Sequence, residues 1–181
     1  GCTIRVSLEV TVEKPRDYAP VQSNFTYPIS GFKKIIDGDT FDCWLDLGFD
    51  ITILVRVRMA GIDTPESRTS DLEEKYYGLL SKSELSKWVY PDLKQQQKEA
   101  FSYFIKCEER DSRGKYGRVL GEFWATNVDT GEEVNINEWM CLNYFAVPYD
   151  GGKSDNWGIN REHLFNRTEL HKNGLNPYYE D

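Results

Sequence analysis

The sequence predicts a mainly β protein of the α+β class: a small closed antiparallel barrel with helices packed against it. Three observations carry this expectation. Strand-like stretches separated by tight-turn residues run from about Phe25 to Gly61 and return in "FSYFIKCEE" and "RVLGEFWAT". A charged, helix-compatible stretch, Ser67 to Ala100, lies between those two groups of strands. Helix-compatible stretches then close the chain. Strands first, a helix inserted late, and terminal helices last is an order that a five-stranded OB barrel satisfies.

Each element has a local reason. From Thr3 to Glu13, Ile4, Val6, Leu8, Val10 and Val12 alternate with other residues, the period of a half-buried strand that precedes the barrel. "KPRDYAPVQSN" follows as a connector, since Pro15 and Pro20 break regular structure. Between Phe25 and Gly61, Asp37-Gly38-Asp39 and Gly48-Phe49-Asp50 punctuate three antiparallel strands. "DLEEKYYGLLSKSELSKW" and "PDLKQQQKEA" read as helix interrupted at Pro91. "RDSRGKYG" is the turn-rich link between the two later strands. "VNINEWMCLNY" fits a short helix, and "NREHLFNRTELHKNG" fits another, with Asn160 as N-cap and Gly174 as its stop. At 181 residues the chain is most simply one domain with extensions, divided as 1–24 (strand and connector) and 25–181 (barrel domain).

Composition narrows the function. With 39% hydrophobic and 14% aromatic residues the chain can bury a core. No stretch approaches the roughly 20 apolar residues of a membrane span, and the opening residues lack a basic segment followed by an apolar block, so no signal peptide is expected. The net charge of −8 argues against coating nucleic acid by bulk electrostatics, yet leaves room for a small site that binds a cation. Cys2, Cys43, Cys107 and Cys141 are scattered without a C-x-x-C pair, which excludes the usual zinc spacing and favours free buried thiols. Two sequons, at Asn24 and Asn166, are of a kind that chance supplies often.

Three short stretches carry chemistry. "IDGDTF" places Asp37, Asp39 and Thr40 together; the Asp-Gly pair alone reads as a hairpin turn, but a strand-held Asp39 is also a hard oxygen ligand for Ca²⁺ or Mg²⁺. "RVRMAGIDTPESR" sets Asp63 and Glu66 around Pro65, which favours an extended Thr64 and leaves nearby carbonyls open to a ligand. Alternation puts Arg56, Arg58 and Ala60 on one strand face, where Arg58 can meet a phosphate bidentately. "RGKYGRVLG" offers Lys115, Tyr116 and Arg118, either as a solvated hairpin loop or as a phosphate-facing one. Together the three supply a metal-assisted phosphodiesterase: carboxylates for a cation and for water, and arginines for charge growing on the phosphoryl oxygens.

In their order these stretches resemble the staphylococcal-nuclease (thermonuclease) family. "IDGDT" at 36–40, "RMAGIDTPE" at 58–66 and "KYGRVLG" at 115–121 correspond to its three motif blocks, and "EEKYYG", "NEWM" and the phage- or bacterial-like "AVPYDGGK" extend the likeness. The resemblance implies an OB-fold barrel with helices, Ca²⁺-dependent cleavage of DNA and RNA, and 3′-phosphate ends; the Thr3–Glu13 strand precedes the matched region and is extra to it. It implies Asp39, Asp63 and the Thr64 carbonyl as metal ligands, with Asp37 close by through water. It assigns Glu66 to the attacking water, as general base or by orienting it, and Arg58 and Arg118 to catalysis. Lys115, Tyr116 and, in an uncertain register, Tyr149 are implied to contact the substrate. The acidic charge differs from the basic secreted members and favours a cytoplasmic or phage-encoded setting, with nucleic acid as partner and no obligate protein partner. The rivals are a non-catalytic nuclease-like module that binds nucleic acid or protein, and a structural OB domain. Retention of Asp39, Asp63, Glu66, Arg58 and Arg118 favours the enzyme.

Overall fold

The computed structural model describes residues 18–22, 24–89, 101–110 and 112–151. The expected Thr3–Glu13 strand, Cys2, Pro91, the Asn166 sequon and the helix expected around 160–174 lie outside these residues. What is described is the expected five-stranded barrel, but mixed rather than wholly antiparallel, because β3 and β6 pair in parallel. Strands β1 (Phe25–Asp37), β2 (Thr40–Asp46) and β3 (Thr52–Met59) form an antiparallel meander. β1 pairs with β5 (Phe101–Cys107), which pairs with β6 (Val119–Asn127), and β6 closes the barrel by running parallel to β3. The short β7 (Glu133–Asn135) extends the sheet beyond β6. A separate two-residue ladder joins β4 (Ile62–Asp63) to β8 (Val147–Pro148).

One strand serves two partners. The first part of β1 pairs with β5 and the rest with β2, with register shifts after Ile29, Phe32 and Ile35. Such bulges bend and twist a strand, which a five-stranded closure requires. Inward residues fill the interior. Phe41, Val57, Met59, Ile105 and Phe123 are fully buried, with Tyr103 stacked on Phe123 and Phe32 meeting it edge-on. The buried thiols Cys43, Cys107 and Cys141 are unpaired, and burial pushes them up, to about 12, 11 and 12. They are core residues, as the spacing suggested.

Helix α1 (Leu72–Val89) begins where the Asp71 carboxylate accepts the N–H groups of Glu73 and Glu74. Acidic Glu73 and Glu74 in the first turn and Lys87 in the last complement the helix dipole. Its buried row, Tyr77, Ser81, Leu85 and Val89, follows an i+4 spacing, with Gly78 beside it. Helix α2 (Ile136–Leu142) is capped by Asn135, whose side chain accepts the Glu138 N–H. It ends at Tyr144, which takes a left-handed φ of 62° while Phe145 donates its N–H back to Met140. The chain then returns through β8 beside β4.

Candidate active site

The barrel brings the first two chemical stretches together by register. Thr40, at the start of β2, pairs with Arg58 near the end of β3, and the Met59 N–H donates to the Asp39 carbonyl. Asp39 is buried. One carboxylate oxygen accepts the Thr40 hydroxyl (2.7 Å), and the other accepts the Thr64 N–H (3.0 Å). Arg58 Nη2 stands 3.4 Å from Asp39 and 3.3 Å from Asp63 Oδ1, while Nη1 donates to the Met59 carbonyl. Two carboxylates thus converge on one positive charge.

The loop after β4 is held from below. Asp37 accepts hydrogen bonds from both the hydroxyl and the N–H of Ser67, and the Glu66 N–H donates to Glu74 on α1. Helix α1 lies against this loop and the β1–β2 turn because two glycines allow it. A Cβ on Gly78 would stand 2.5 Å from the Glu66 carbonyl carbon and oxygen, and one on Gly38 would stand 2.7 Å from Ser81 Cβ. Neither Ser67 nor Gly78 was singled out from sequence. The available signal was a glycine within an otherwise helical pattern, which marks a close approach.

The Glu66 residue is exposed, yet its carboxyl is raised above the ordinary glutamate range. Partial burial contributes most, followed by repulsion from Asp37, Glu74, Asp39 and Asp63. The acids therefore feel one another. Among the described residues, however, no three carboxylate, imidazole or thiol groups come together closely enough to hold one ion. The expected third carboxylate is not gathered with Asp39 and Asp63. What fits a hard cation is the pair of converging carboxylates and the buried Thr64 Oγ1, which has no hydrogen-bond partner among the described residues.

The third stretch reaches the same end of the barrel through β6. Lys115–Gly117 makes a tight turn in which Tyr116 takes φ 62° and stands almost wholly exposed. The Gly114 N–H donates to the Arg118 carbonyl, and Arg113 donates to the Gly117 carbonyl, closing the loop. The Arg118 guanidinium lies 5.5 Å from the Tyr116 ring centre. The side chain of Lys115 lies outside the described residues. Arg118 lines an open cleft of about 570 Å³ together with Asp37, Thr40, Arg56 and Tyr116. Tyr149 follows β8, donates its N–H to the Gly61 carbonyl, and holds its ring 5.9 Å from the Arg58 guanidinium. The residues expected from three separated stretches thus lie at one end of the barrel. They form two clusters, Asp39–Arg58–Asp63–Tyr149 and the cleft at Arg118.

No curated protein matches the chain. The family model for staphylococcal nuclease homologues matches residues 56–171, which is well over half of the chain. The match contains Arg58, Asp63, Thr64, Glu66, Lys115, Tyr116, Arg118 and Tyr149 but begins after Asp37 and Asp39. The pairing of β2 with β3 supplies those two acids to the same place. With a five-stranded mixed barrel and two helices around these residues, the chain belongs to the staphylococcal nuclease homologue family.

Proposed function

We propose that this nucleic-acid-binding fold is an active nuclease that hydrolyses phosphodiester bonds of DNA and RNA, leaving 3′-phosphate ends. The observation that carries the reading is the convergence of Asp39, Asp63 and Arg58, with the raised Glu66 carboxyl nearby. Asp39, Asp63 and the Thr64 carbonyl would hold Ca²⁺, an ion tolerant of irregular oxygen shells. When bound, the ion supplies Lewis-acid polarisation of the phosphoryl oxygen. Glu66 accepts a proton from, or orients, the attacking water, and its raised affinity for protons suits the first role. Arg58 and Arg118 donate hydrogen bonds to phosphoryl oxygens as negative charge grows on them. The bond from phosphorus to the 5′ oxygen breaks, and the departing oxygen takes a proton from solvent. Thr40 and Ser67 position Asp39 and Asp37.

A second reading, a binding module without catalysis, draws on Arg58 forming ion pairs with both candidate ligand carboxylates. One assay separates the two. Single-stranded and duplex DNA are incubated with calcium, with magnesium or with chelator, and the product ends are analysed. Cleavage with calcium, much slower cleavage with magnesium and none with chelator is the expected outcome. Binding without cleavage in every condition assigns the chain to the module class.

A further inference from the structure

The cleft that holds Arg118 does not stop at the candidate catalytic groups. It continues along the outer face of β3, where Leu54 and Arg56 line it together with the Tyr116–Gly117 turn. The parallel pairing begins at Val57 and Val119, so Arg56 on β3 and Arg118, in the turn just before β6, each precede the first paired residue. Both arginines line the same cleft.

Arg56 is held differently from the other two arginines. Its Nε and Nη2 donate to the two oxygens of Asp42, directly across on β2, at 2.8 and 3.0 Å. The fork uses one edge of the guanidinium and cancels its charge, so Arg56 is poorly suited to bind a phosphate. The same fork fixes the plane, while 49% of the side chain remains exposed. A flat, fixed, neutralised cation beside an apolar side chain is a stacking platform, and guanidinium planes are among the surfaces on which unpaired bases stack. Leu54, 47% exposed, supplies the apolar neighbour. The cleft, at about 570 Å³, lies within the roughly 300–1,000 Å³ of small-ligand sites, room enough for a base.

We infer that the Arg56–Asp42 pair and Leu54 form a subsite that stacks one unpaired base of the substrate strand, next to the phosphate held at Arg118. The inference rests on the nuclease-like reading of this cleft and adds a preference for single-stranded substrate. The subsite contributes affinity without adding phosphate contacts, so its removal leaves the salt dependence of binding unchanged.

The test uses an oligothymidylate about eight residues long, within the site size of an OB fold, and a set of the same strand with one abasic residue at each position in turn. Binding is measured in chelator, so that no strand is cut. With the parent protein, one abasic position is expected to weaken binding about tenfold, the scale of one stacked base. In Asp42→Asn/Arg56→Leu, which keeps the net charge, that penalty should shrink to within about twofold while the salt slope is retained. Leu54→Ser, on the same wall, should reduce the penalty independently of the ion pair. An equal penalty in parent and variants overturns the subsite, as does failure of the parent to bind the intact strand. Cleavage of the intact strand by the parent with calcium is scored separately. Base-dependent binding without cleavage would retain the subsite and remove the hydrolytic reading.

Discussion

Asp63 and Glu66 sit three residues apart in sequence but meet different surroundings, and the difference can be measured. Asp63 shares Arg58 with Asp39, whereas Glu66 is exposed and crowded by acids. Asp63→Asn is expected to weaken calcium binding, with part of the activity recovered at higher calcium. Glu66→Gln should leave calcium affinity nearly intact and lower turnover roughly 10²-fold or more. Calorimetric titration beside single-turnover kinetics separates them; equal loss of calcium affinity in both makes Glu66 a ligand. The raised Glu66 carboxyl also has a pH signature in metal-free protein. Its folded form binds a proton more tightly than the unfolded chain does, so its stabilisation is complete below the ordinary glutamate value. It is lost as pH rises through the raised one. Melting curves across that window should fall less steeply for Glu66→Gln. Arg58→Ala should lower turnover by orders of magnitude, and it also removes the guanidinium that Asp39 and Asp63 share. Its melting temperature should drop in chelator and recover when calcium is added. A loss of fold that calcium does not restore would make Arg58 a structural residue.

Helix α1 connects the site to the barrel, and Gly78 is where the connection is tightest. In an ordinary exposed helix, Gly→Ala gains up to about 1 kcal/mol from propensity. Here the added Cβ would meet backbone atoms of Glu66 and Ser67 at 2.5–2.7 Å, and backbone cannot swing aside as a side-chain tip can. Overpacking costs about 1–3 kcal/mol, so Gly78→Ala should destabilise by that order and also impair turnover by displacing Glu66. Ser83→Ala, on the exposed face of the same helix, should change stability by no more than about 0.5 kcal/mol. Denaturant melts of the two variants decide; a stabilised Gly78→Ala would show that the loop yields. This packing also marks where the sequence stopped being legible. The meander of β1 to β3 could be read because alternation and Asp-Gly turns are local signals, and "FSYFIKCEE" and "RVLGEFWAT" likewise became β5 and β6. The candidate acids and arginines were legible from their order. The tether of Ser67 to Asp37 spans 30 residues, and the seat of Gly78 on Glu66 depends on how α1 crosses the loop. Neither has a pattern within one element. The start of α1 at Leu72 follows from the Asp71 cap, and the stretch "DLEEKYYGLLSKSELSKW", helix-compatible from Asp71, became α1.

At the scale of the whole molecule, the connector before β1 is docked on the barrel through one buried acid. Alternation along β6 would turn Glu122 outward, because Val119, Gly121 and Phe123 face in; yet Glu122 is 1% exposed. The connector covers it. Tyr18 donates its hydroxyl to Glu122 Oε2 at 2.7 Å and Val21 its N–H at 3.1 Å, while Asn135, the cap of α2, donates its side-chain amide at 3.0 Å. The Tyr18 ring also lies on Gly61, where a Cβ would come within 3.1 Å of it and where φ is 74°. Gly61 precedes Ile62 and Asp63, so the connector touches the backbone that leads into the candidate metal site. Removing one donor from a buried, hydrogen-bonded carboxylate leaves it poorly compensated. Tyr18→Phe should therefore destabilise by about 1–3 kcal/mol, although it deletes a single oxygen. Once the charge is gone the hydroxyl matters less, so Tyr18→Phe should cost measurably less in a Glu122→Gln background. That non-additivity is the signature of direct coupling. Burial first, and then the hydrogen bond and charge of Glu122, also raise the Tyr18 phenol well above the ordinary tyrosine range. Its stabilisation is complete below the ordinary value and is lost only as pH climbs through the raised one, so alkaline absorbance titration of the parent should show a late-ionising phenol that Tyr18→Phe lacks. Equal melting of the parent and Tyr18→Phe, with every tyrosine titrating together, would mean that the connector is not held to the barrel by Glu122.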